Sequence, residues 1–364
     1  MLEDFLFTPL NLIKKKRFDK GNFEEFFGRV PPCGGPGFSA FRCRFSRSLR
    51  LASGCAAPTM RNYVPLCLGN LFTCPLTRTY NPSLGKPSIF FTFPLSFDKM
   101  ELQTTTVQTK SAQCECAVFG RGTKPLVILP GIFTKSLMPF AQGVADRYQK
   151  FLDGYKIYLL DRPLEPPQNC GADFLAQAAA EALDTLGVKG ACVVGISAGG
   201  IAAQALAKSR PDLAVKLFLG STCAKMTNTA AAVIEDWARL AEEEKLSELN
   251  QAFAQAVYTP SFYERYKDAI MASLAGATGA DLKRFATLAR ALLGFDASDI
   301  LPKIKCPILA VGAGLDKIFG ADAAPQIARL AGPSARSCVC QNYGHAVYDE
   351  APDYVDRIYE FFEG

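Results

Sequence analysis

The pentapeptide Gly195-Ile196-Ser197-Ala198-Gly199 sets a serine in G-x-S-x-G spacing. A serine hydroxyl is a weak nucleophile and becomes useful only with a base within hydrogen-bond reach. The chain holds one histidine, His345, in Tyr343-Gly344-His345-Ala346. If Ser197 is a nucleophile, no other side chain can be its imidazole base. Asp316 lies between the two in the chain, after Gly314-Leu315. A carboxylate there can accept the imidazole N–H and stabilise the imidazolium that forms when the serine proton is taken. Together Ser197, His345 and Asp316 would support acyl transfer through a covalent intermediate. Asp322 is the competing acid, but it stands just before a predicted helix, where an Asp is often a cap. Asp349 and Glu350 follow the histidine and are expected to be solvated.

These residues need elements to position them, and the apolar pattern supplies the elements. Glu101–Val107 and Ala112–Phe119 read as two strands joined by a turn near Lys110. Leu126–Leu129 and Ala191–Val194 read as short, buried strands, and Lys156–Leu160, Val215–Leu219, Ile308–Val311 and Ser337–Gln341 as further strands. Helices are expected over Pro139–Phe151, Ala172–Leu186, Ile201–Ala207, around Pro325–Leu330 and over Tyr354–Phe362, with a Pro-rich loop over Arg162–Pro167. Strands alternating with helices imply an α/β fold with a mostly parallel, eight-stranded sheet and helices on both faces. Ser197 then sits between the strand Ala191–Val194 and a small-residue helix, the strand–turn–helix setting that exposes a nucleophile. His345 and Asp316 follow later strands and fall at the same sheet edge, where open α/β sheets bind ligands.

The alternation breaks once. Residues 227–295 hold about four helical segments and no strand candidate. An all-helical block inserted there predicts a lid over the sheet edge. Its aromatics include Trp237 and Tyr258, which are candidate substrate contacts, although at helical spacing such rings often only pack. A developing oxyanion needs two backbone N–H donors. Ala198, after the nucleophile, is one candidate. Ile132 in Pro130-Gly131-Ile132-Phe133 is the other, with Phe133 as the alternative donor and a further substrate contact.

Composition narrows the classes. Residues 1–99 hold 14 Lys or Arg against 6 Asp or Glu, and the remainder 26 against 29, so a net charge of +8 gives way to −3. A mildly acidic body argues against nucleic acid as a partner. The first 99 residues carry ten prolines and no periodic apolar face, which reads as a disordered or artefactual extension, or as an organelle transit peptide. Residues 100–226 and 296–364 are then the core and 227–295 the lid. The 13 cysteines lack paired C-x-x-C spacing, so no metal site is expected, and they read as buried thiols of a reducing compartment. No apolar run reaches the ~18 residues of a membrane span. A cytoplasmic setting is expected, or an organelle if the extension is a transit peptide.

The order Pro-Gly-Ile, GISAGG, helical insert, VGAGLDKIFG and YGHAVYDEAPDYV resembles the α/β-hydrolase superfamily from about Met100 to Gly364. It is most similar to small capped hydrolases such as 3-oxoadipate enol-lactonases and related esterases. Pro130-Gly131 stands where that superfamily often has His-Gly. The resemblance implies a Ser–His–Asp hydrolase of a small carboxylic ester, lactone or thioester, needing no cofactor. A ligand sensor or scaffold on the same fold, a carbon–carbon bond hydrolase and an aminopeptidase are the alternatives.

Overall fold

A computed structural model of the chain describes residues 49–51, 77–81, 86–91 and 101–364. The first three segments are the strands β1 (Leu49–Leu51), β2 (Thr77–Asn81) and β3 (Lys86–Phe91), paired antiparallel in the order β1-β3-β2. Apart from these strands, the expectations for residues 1–99 lie outside the described residues.

From residue 101 the short apolar runs become one eight-stranded sheet. Its strands are β4 (Gln103–Gln108), β5 (Gln113–Phe119), β6 (Lys124–Leu129), β7 (Tyr155–Pro163), β8 (Ala191–Ile196), β9 (Ala214–Gly220), β10 (Ile308–Ala313) and β11 (Ala335–Cys340). They run in the order β11-β10-β9-β8-β6-β7-β5-β4. β4, β5 and β7 pair antiparallel to one another in turn, and every pairing from β7 through β6, β8, β9 and β10 to β11 is parallel.

Among the described residues the helices are α1 (Ala141–Arg147), α2 (Ala172–Thr185), α3 (Ala198–Ser209), α4 (Asn228–Glu242), α5 (Leu246–Val257), α6 (Pro260–Leu274), α7 (Gly279–Arg290), α8 (Ala323–Ala331), α9 (Val347–Glu350) and α10 (Tyr354–Glu363). The central strands β6, β8, β9 and β10 are largely apolar because both faces are covered, whereas the edge strand β4 buries only Val107. Val127 and Leu129 of β6 pack into the core shared with α2 and α3, whereas Leu126 and Ile128 pack with α1 and α10. Phe218 of β9, fully buried, meets Tyr354 of α10 edge-on at 5.4 Å.

Four helices, α4 to α7, fill the stretch between β9 and β10, and local signals start three of them. Thr227 caps α4 by accepting the Ala230 N–H, Thr259 caps α6 ahead of Pro260, and Thr278 with Asp281 forms a capping box on α7. None of the described helices is long and apolar enough to cross a membrane.

Three expectations change. β7 runs on to Pro163, because Cys114 pairs with Pro163 and the Arg284 side chain binds the Arg162 and Pro163 carbonyls where a loop was expected. One helix over Pro139–Phe151 is instead α1 between two 3₁₀ turns, Met138–Phe140 and Gln149–Phe151. The short helix α9 was not anticipated; its only buried apolar residue is Val347, too little for an apolar period to register.

Candidate active site

Ser197 occupies the turn from β8 into α3 with φ 53° and ψ −118°. A non-glycine residue at positive φ is held there by its surroundings. Two bonds do so: the Ser197 N–H donates to Gly220 O at 2.9 Å, and Thr222 Oγ1 donates to Ser197 O at 2.8 Å. The turn is also close-packed. A Cβ on Gly199 would fall 1.9 Å from Leu129 O, so only glycine lets α3 begin that near β6.

His345 lies beyond β11 and is 3% exposed. Its Nε2 is 3.0 Å from Ser197 Oγ and its Nδ1 is 3.0 Å from Asp316 Oδ2. With the proton on Nδ1 facing the carboxylate, Nε2 is left to accept from the serine hydroxyl. Asp316, in the turn after β10, uses its other oxygen to accept N–H bonds from Ile318 at 2.8 Å and Phe319 at 3.1 Å. Burial pushes the Asp316 carboxyl up, but the imidazole and these two donors outweigh it and hold the group below the usual carboxylate range. Phe319 also sets its ring edge-on to His345 at 5.4 Å. Asp322 is elsewhere in function: its side chain makes no cap bond, and it pairs on the surface with Arg329 at 2.6 Å.

The loop after β6 closes on the serine. A Cβ on Gly131 would lie 3.1 Å from Ser197 Cβ. Among the described residues neither the Ile132 N–H nor the Ala198 N–H donates to a protein acceptor; a first-turn N–H such as Ala198 has no intrahelical partner. Both residues line one cavity of about 40 Å³, with Leu129, Gly199, Arg162 and Leu288.

The remaining candidate contacts fall in three places. Phe133 is half-buried and meets Phe140 edge-on at 5.8 Å. Trp237 is 3% exposed, its ring 4.8 Å from Phe253, inside the helical layer. Tyr258 stacks on Phe262 at 5.3 Å, and its hydroxyl donates to Asp349 Oδ2 at 2.9 Å.

Asp349 and Glu350 are not solvated. Asp349 also pairs with Arg147 at 3.1 Å, its side chain 8% exposed. Glu350 accepts from the Thr259 N–H at 2.7 Å, Thr259 Oγ1 at 3.0 Å and the Gly344 N–H at 3.3 Å. The Ala346 N–H donates to Val257 O at 2.8 Å. The histidine loop is thereby fastened to the α5–α6 junction. Nothing in the sequence flagged these acids, since Tyr258 and Thr259 lie 91 positions before them and Arg147 lies 202 positions before Asp349. Thr222 and Phe319 were missed too; Thr222 follows the end of β9, which carries no other site residue, and Phe319 was signalled only by lying three residues after Asp316.

The described cysteines are packing groups. Burial pushes the Cys114, Cys116 and Cys223 thiols up to about 12 and Cys192 to about 11, so they stay protonated.

Residues 126–358 match the alpha/beta hydrolase family. The chain is 24% identical over 223 residues to 3-oxoadipate enol-lactonase 2 of Acinetobacter baylyi, covering 58% of this chain and 79% of the relative. An enol-lactonase from Burkholderia xenovorans superposes with a TM-score of 0.64 at 18% identity, covering 71% of this chain and all of that one. A thermophilic esterase from Thermogutta terrifontis gives 0.60 at 18%, covering 72% and 98%. With the family matched over more than half of the chain's length, the chain belongs to the α/β-hydrolase family.

Proposed function

We propose that this chain is a serine hydrolase of small carboxylic esters, lactones or thioesters, working through an acyl-enzyme on Ser197. The observation that carries the reading is the buried relay from Asp316 through His345 to Ser197, both contacts at 3.0 Å. His345 takes the hydroxyl proton as Ser197 attacks the carbonyl, then returns it to the leaving group. Water enters by the same base and releases the acid. Asp316, kept ionised, fixes the tautomer and balances the imidazolium charge. The N–H groups of Ala198 and Ile132 receive the oxyanion. The ester and lactone class is supported by the names of the enol-lactonase and esterase relatives.

Helices α4–α7, within residues 227–295, act as the lid in this reading. Phe133, next to the Ile132 donor, is proposed as a contact for the acyl group. Trp237 and Tyr258 are proposed to shape the substrate space by holding the lid, one through the Phe253 stack and the other through Asp349. The test is labelling by a fluorophosphonate probe alongside turnover of a panel of esters, lactones and thioesters. Labelling should depend on Ser197, and at least one of the three classes should be hydrolysed. A wild-type chain that takes up no probe would end the proposal.

A further inference from the structure

The Asp161–Arg162 pair at the end of β7 lies beneath the oxyanion loop and has no part in the proton relay. Asp161 is fully buried as a side chain and Arg162 is 7% exposed. Burying two charges is costly unless each finds full hydrogen bonding. Here the bonds go to one target. Arg162 Nη1 donates to Gly131 O at 2.7 Å and Nη2 to Lys135 O at 3.0 Å. Asp161 Oδ2 accepts the Leu137 N–H at 2.9 Å, while its Oδ1 holds Arg162 through Nε at 2.8 Å. Three points of the loop between Gly131 and Leu137 are therefore gripped by one ion pair. Arg284 of α7 steadies the pair from the other side, donating to the Pro163 carbonyl at 2.8 Å and to that of Arg162.

The bond to Gly131 O has a particular consequence. Gly131 O and the Ile132 N–H belong to one planar trans peptide, so they point in opposite directions. Fixing the carbonyl fixes the direction of the N–H. We propose that Arg162 is a positioning residue for the oxyanion hole, holding the Gly131–Ile132 peptide so that its N–H faces the charge that develops on the substrate carbonyl. This rests on the hydrolase reading above. It also accounts for Pro130-Gly131 without a histidine: the loop is oriented from below by a guanidinium, whose planar fork spans two carbonyls as an ammonium cannot.

The test compares Arg162→Met and Arg162→Lys with wild type on p-nitrophenyl acetate and its thionoester, in which sulfur replaces the carbonyl oxygen and accepts hydrogen bonds poorly. The kcat for the oxygen ester should fall about 100-fold in Arg162→Met, the effect of losing one oxyanion donor, with KM nearly unchanged. Arg162→Lys should fall between the two. The ratio of oxygen-ester to thionoester rates should drop at least tenfold, and this ratio is independent of how much of the variant is folded. An unchanged ratio in both variants would overturn the clamp. A parallel Ser197→Ala control tests the hydrolase reading separately. If that control kept full turnover, the reading would fall, and a crystal structure of Arg162→Lys would decide the clamp alone: a turned Gly131–Ile132 peptide supports it and an unmoved one rejects it.

Discussion

The hydroxyl of Tyr258 donates to the carboxylate of Asp349 at 2.9 Å, so a residue of the α5–α6 junction touches a buried acid four positions after the histidine. Burial raises the Asp349 carboxyl from 3.8 to about 6, against the opposing pull of Arg147. The folded chain therefore binds a proton more tightly here than the unfolded chain does. Between about pH 4 and 6 the unfolded state loses this proton first, so this group's contribution to stability falls as pH rises through that window and is flat above it. The change is on the order of 2–3 kcal/mol. Asp349→Asn is expected to flatten this part of a melting-temperature profile; a profile with the same slope in wild type and variant would contradict it.

Replacing Ser197 or His345 with Ala should each lower ester turnover by several orders of magnitude. The double replacement should add little, because residues that act as a unit are not additive. Steady-state kinetics on purified variants with matched melting temperatures would check this, and effects that multiplied would separate the two residues.

Trp237→Ala removes a buried ring from the Phe253 stack and should lower stability by about 3–5 kcal/mol. Tyr258→Phe keeps the ring and deletes one bond to a carboxylate, so it should cost about 1.5–3 kcal/mol while changing the ranking of ester substrates through the lid. Melting temperatures paired with an acyl-length series would separate packing from selectivity at each position.

Gly199→Ala places a methyl group 1.9 Å from Leu129 O, where backbone faces backbone and neither can turn aside. The loss should exceed the ~1–3 kcal/mol of ordinary overpacking. Thermal unfolding would show it, and a variant as stable as wild type would mean that α3 can withdraw from β6.

A chain beginning at Met100 is expected to fold and to turn over ester as the full chain does. Every strand of the eight-stranded sheet lies within residues 103–340, and net charge and proline content both change near residue 100. Circular dichroism and kinetics of the two chains would compare them; an insoluble shorter chain beside an active full one would make the first 99 residues part of the fold.

The sheet was legible because its central parallel strands are apolar runs with Gly or Pro at or near their ends, as in Leu126–Leu129 before Pro130-Gly131. Ser197 and His345 were legible because a G-x-S-x-G turn and a single imidazole leave few choices. What escaped was set by distance in the chain. The Pro-rich look of Arg162–Pro167 hid a strand end, because the Arg284 that binds its carbonyls lies more than a hundred positions on. Asp349 and Glu350 looked like surface acids, because nothing near them names Tyr258, Thr259 or Arg147 as partners.

That the chain contains one histidine, and that it is buried between Asp316 and Ser197, makes the molecule its own spectroscopic label. Isotope-enriched histidine would give a magnetic-resonance spectrum with a single imidazole ring in it, needing no assignment. The nitrogen shifts of that ring would report tautomer and proton in the resting chain, on inhibitor binding and on acylation, with no background from any other residue of the same kind.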